Sequence, residues 1–142
     1  MPHDEPVNWQ PLSQMPLISS MIDTALEDTR EHLSTLAEAR ERPHVLDDAT
    51  IDRTEQVHSE QLQFVGIYAE QISHWRSETQ SPAQGRELDR MEEQNGRLRS
   101  VTADVLALAG ELRKGTIERV MDMSDVELGL QALLGRGHPG RR

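Results

Sequence analysis

The chain has 142 residues, 35% of them apolar and 3% aromatic, and no cysteine. This excludes disulfides, thiolate metal sites and cysteine nucleophiles, and it favours long amphipathic helices with narrow buried seams over a broad core. Twenty-five acidic against fifteen basic residues give a formal charge of −10, which disfavours nucleic acid as a partner.

Residues 1–14 carry Pro2, Pro6 and Pro11 without periodicity and read as an extended arm, in which Trp9 is the residue expected to dock. From about Pro16, Ile18, Ile22, Ala25, Leu26, Thr29, Leu33 and Leu36 recur every three or four residues. That is the period of an amphipathic helix. The helix should fade around Arg40–Arg42, because Pro43 disfavours helix in the residue before it.

Pro43–Asp48 reads as a connection, with Asp47 or Asp48 as the N-cap of a second helix running to about Ser77. At about 100° per residue, Thr54, Val57, Gln61, Phe64, Val65, Tyr68, Ile72 and Trp75 share one stripe of it. Three of the four aromatics, Phe64, Tyr68 and Trp75, lie within twelve residues on that stripe. They fit packing or an interface, or else the wall of a ligand pocket.

Turn chemistry follows at Ser81-Pro82-Ala83-Gln84-Gly85, and a third helix is predicted from about Arg86 to Lys114. Its seam of Leu88, Met91, Asn95, Leu98, Thr102, Val105, Leu108 and Leu112 is coiled-coil-like, with Asn95 as a polar residue able to fix register. Gly115 is expected to end or bend it. A short helix restarts at Thr116–Met121, and Ser124-Asp125-Val126-Glu127 has the form of a capping box opening a last helix with Val126, Leu128, Leu130, Leu133 and Leu134. The glycine- and arginine-rich residues 135–142 read as a flexible tail. The charge excess is confined to the first 80 residues: 1–46 and 47–80 each carry net −5, and the remainder is balanced. Such an acidic half suits a basic protein partner.

Catalytic patterns are sparse. Glu55 and His58 form a Glu-x-x-His, the element that di-iron bundles use in two copies with two further Glu. Asp28 with His32, and Glu70 with His74, stand four residues apart and read as exposed pairs. The acids around Asp47–Asp52 and Glu87–Glu93 resemble Mg2+-binding clusters in composition, but they coincide with a helix start and with alternating Arg. Phosphate-binding loops, nucleophile elbows and zinc-protease motifs are absent from the sequence.

The expected fold is all-α, an antiparallel bundle of three long helices plus one or two short C-terminal helices with coiled-coil-like packing. It forms a single domain at 15–134 between the arm and the tail. The expected function is a non-catalytic helical interaction or assembly module, homodimeric, with Phe64, Tyr68, Trp75, Leu130 and Leu133 at the interface and no cofactor. The alternative is a metal-dependent helical-bundle enzyme, ferritin-like or of Mg-dependent hydrolase type, built on Glu55 and His58. No signal pattern opens the chain, and no apolar run approaches the ~20 residues of a membrane span, so a cytoplasmic location without membrane contact is expected.

Overall fold

The structure, a computed structural model, describes residues 8–42, 46–78 and 80–134, the stretch from 116 by its backbone alone. The outer parts of the expected arm and tail, 1–7 and 135–142, lie outside the described residues. A 3-10 turn at Leu12–Gln14 leads into α1, Met15–Glu41, which has Pro16 at its start, where a missing N–H leaves no helical bond unmade. Helix α2 spans Asp48–Arg76. Asp47 caps it by accepting from the Thr50 N–H at 2.8 Å, and Asp48 in the first turn meets the positive end of the helix dipole.

Helix α3, Pro82–Leu134, departs from expectation at both ends. It begins at Pro82 because Ser81 and Gln84 form a capping box. The Ser81 N–H donates to Gln84 Oε1 at 2.9 Å, and the Gln84 N–H donates to Ser81 Oγ at 3.1 Å. The expected break at Gly115 and the separate short helices do not occur: the backbone is one helix through Gly115 and Ser124 to Leu134. One glycine costs only about 1 kcal/mol relative to alanine. A break would instead leave four carbonyls and four N–H groups without helical partners, and no proline between 83 and 134 enforces a stop.

Helices α1 and α2 each lie along α3 and meet one another through side chains, Gln61 bonding Thr29 and His32 facing His58. Ser19 bonds Glu87, and Asp23 bonds Arg90 and Gln94, so residue numbers rise together in α1 and α3. Between α2 and α3 they run in opposite senses: Arg76 reaches Asp89 and Glu92, while Gln61 reaches Thr102. The α3 seam is buried throughout, at Leu88, Met91, Asn95, Leu98, Thr102, Val105, Ala109 and Leu112. It supports two apolar clusters. One gathers Ile22, Leu26, Val65, Ile72, Trp75, Met91 and Leu98, and the other Leu36, Ile51, Val105, Leu108 and Leu112. Each such side chain contributes about 1.5–3 kcal/mol on burial.

The segment before α1 is tied down. Trp75 Nε1 donates to the Gln10 carbonyl at 2.8 Å, the Gln10 N–H donates to Gln71 Oε1 at 2.8 Å, and Trp9 stacks on His74 with ring centroids 4.3 Å apart. Among the described residues, no helix is long and apolar enough to cross a membrane.

Candidate functional site

Helices α1 and α2 sit side by side on α3, and a trough runs between them above the side chains that join them. It has a volume of ≈ 460 Å3 and is lined by Met21, Thr24, Asp28, His32, Val57 and Tyr68, among others. Of its lining, Met21 is 45% exposed and Val57 47%; Phe64, 54% exposed, adjoins it with its ring 6.3 Å from that of Tyr68. Tyr68 is half-buried, and burial pushes its phenol above the ordinary value. Leu17, one turn before Met21, is also exposed.

Beneath the trough a polar layer separates the two apolar clusters. The Gln61 amide nitrogen donates to Thr29 Oγ1 and Thr102 Oγ1, each at 2.8 Å. Those hydroxyls in turn donate to the Ala25 and Leu98 carbonyls, both at 2.6 Å. One side chain from each helix is thereby joined with both amide hydrogens and both hydroxyls used, which is what a buried polar group needs. Beside them, His58 is buried and bonds the Thr54 carbonyl through Nδ1 at 2.8 Å; His32 Nδ1 stands 3.3 Å from His58 Nε2. A carbonyl only accepts, so the proton on His58 belongs on Nδ1. His32 then donates to His58 Nε2.

Burial holds the His58 imidazole below its usual 6.5, the Thr54 bond opposing and His32 adding to the effect. The unfolded chain therefore takes up this proton first, and stability is expected to fall as pH drops through 6.5, levelling off below the folded-state value. Asp23 and Glu87 are held low chiefly by hydrogen bonds from Arg90, so their contribution is lost only further down, in the carboxylate range. Urea midpoints between about pH 8 and pH 5 check this: the wild type should slope and His58→Gln should be flatter. A flat wild-type curve contradicts it.

The carboxylates singled out by the sequence scatter. Glu55 accepts from Arg113 Nη2 at 2.6 Å, with Asp52 on the same guanidinium, so Glu55 turns to α3 while His58 faces α1. Glu87 and Asp23 clamp Arg90, and Asp89 and Glu92 clamp Arg76. His74 pairs with Glu78 at 3.4 Å. Among the described residues, no three His, Cys, Asp or Glu stand together as a metal would require. Ser19 is buried and donates to Glu87, but Arg90 also bonds that carboxylate and holds it low, which makes it a poor base for activating a hydroxyl.

Of the expected interface residues, Phe64 is open and Tyr68 half-open, but Trp75 is fully buried under the Gln10 segment. Leu130 and Leu133 lie on α3 where only the backbone is described. The His32–His58 pair was not foreseen, whereas Thr29, Gln61 and Thr102 announce the layer as polar residues on otherwise apolar seams. No family model matches the chain, and neither a curated protein nor a solved structure does.

Proposed function

We propose that the chain is a non-catalytic helical interaction module, an antiparallel bundle with coiled-coil-like seams that assembles with a second copy of itself. The trough between α1 and α2 carries this reading. Met21, Val57 and Tyr68 line it and the exposed Phe64 ring lies beside Tyr68, so α1 and α2 together present apolar side chains with no helix over them among the described residues. Contiguous apolar surface of this kind marks an association site in soluble proteins, and a four-helix arrangement is a common way to complete a bundle of this shape. The ionisable groups fit the same reading: they are engaged in pairs between helices instead of converging on a reacting centre.

Sedimentation equilibrium tests it. Wild type should be a dimer at micromolar concentration, and Phe64→Glu should shift it to monomer with an unchanged far-ultraviolet spectrum, since Phe64 is 54% exposed. A wild-type chain that stays monomeric at high micromolar concentration overturns the proposal.

A further inference from the structure

The proportions of the helices indicate what fills the trough. At 1.5 Å per residue, α1 and α2 are ~40 and ~44 Å long, whereas the 53 residues of α3 make ~80 Å. Among the described side chains, the last of α3 placed against the other two helices are Leu112, clustered with Leu36 and Ile51, and Arg113, bonded to Asp52 and Glu55. The remainder, to Leu134, is a helical overhang of ~30 Å. In the sequence, the alternating three- and four-residue spacing of the buried seam continues without a phase change through Thr116, Arg119, Met123, Val126, Leu130 and Leu133. Most of a helix's stability in a protein comes from packing of its amphipathic face, and the apolar repeat of this stretch continues past the point where α1 and α2 run out.

Given the self-association proposed above, we infer that the trough of one copy receives the α3 overhang of the other, and that the exchange is reciprocal. A two-fold axis across α3 near Gly115 sends the second copy's overhang back along the first bundle, so that each set of α1, α2 and α3 gains a fourth helix. The dimensions agree. Gln61 lies against Thr102, and the Asn95 amide against the Val65 carbonyl. Turned about Gly115, Val126 and Leu133 of the second copy come level with Asp104 and Arg97 of the first, beside the stretch of α2 from Val57 to Val65. The apolar part of the overhang is therefore level with the exposed Val57 and Phe64. Each contact joins unlike surfaces, yet the pair closes, because the same rotation supplies both contacts and leaves neither surface over.

The test uses two variants of the full chain, one damaged in the overhang (Leu130→Glu with Leu133→Glu) and one in the trough (Val57→Glu with Phe64→Glu). Each alone should sediment as a monomer. Their equimolar mixture should recover a heterodimer, since it retains one intact trough and one intact overhang that meet. The milder Leu130→Ala with Leu133→Ala should raise the dimer dissociation constant at least tenfold, which guards against misfolding of the charged variants. If the overhang variant dimerises like wild type, the troughs pair with each other; the inference falls and self-association stands. If the trough variant dimerises like wild type, the overhangs pair tail to tail, and the inference falls. If wild type is monomeric, both fall together.

Discussion

Trp75→Ala is expected to cost about 3–5 kcal/mol, the largest effect of any single truncation in the chain. The indole is completely buried in the first cluster, between α1 and α3, and its N–H is the donor that ties the Gln10 carbonyl to α2. Truncation removes the largest buried side chain and loosens the segment that seals that end of the bundle. Domains of this size have about 5–15 kcal/mol in total, so the variant should be partly unfolded at physiological temperature. Trp75→Phe keeps most of the ring and loses only the N–H donor, and should cost about 1–2 kcal/mol. Urea unfolding followed by circular dichroism separates the two. An alanine variant within 1 kcal/mol of wild type would mean that the Gln10 segment does not close over α2.

Asn95→Leu is expected to act in the opposite direction, raising stability by about 1–2 kcal/mol. Asn95 is buried on the α3 seam, its amide donates to the Val65 carbonyl at 3.0 Å, and its Oδ1 is buried with no protein partner among the described residues. Leucine has similar bulk and removes that acceptor, while the Val65 carbonyl keeps its helical partner one turn on. The price is specificity. A polar seam residue opposes shifted alignments of α2 on α3, so the variant should show a higher urea midpoint together with broader amide resonances. A lower midpoint would show that Oδ1 is satisfied in solution.

Much of the local architecture follows from neighbouring residues. Asp47 caps α2 as its position implies, and the seam from Leu88 to Leu112 is buried as its spacing implies. The start of α3 lies four residues before Arg86, where the turn chemistry of Ser81–Gly85 places it; Ser81 and Gln84 around Pro82 form a capping box with proline at the first helical position. The similar pattern at Ser124 lies inside a helix instead. A capping box competes with the continuing helix, and only a strong stop before it lets the box win; Gly115 is too weak a stop and Pro82 is not.

The candidate site was less legible, because its parts come from different helices. Glu55 and His58 share a helix edge by spacing, yet Arg113 draws one towards α3 while His32 meets the other on α1. Trp75 belongs to an apolar stripe whether its cover comes from its own chain or from another, and only the fold of residues 8–14 makes it core.

The sequence by itself determined the helical class, the cap of α2, the faces and the polar positions on the seams. These depend on the 3.6-residue repeat and on hydrogen bonds that span one turn. The tertiary structure alone decided which face meets which, that α1 and α2 seat on α3 and leave a trough between them, and that two histidines 26 residues apart become neighbours. Periodicity specifies that a face will be buried. Its partner is selected by how helices of unequal length fit together in space.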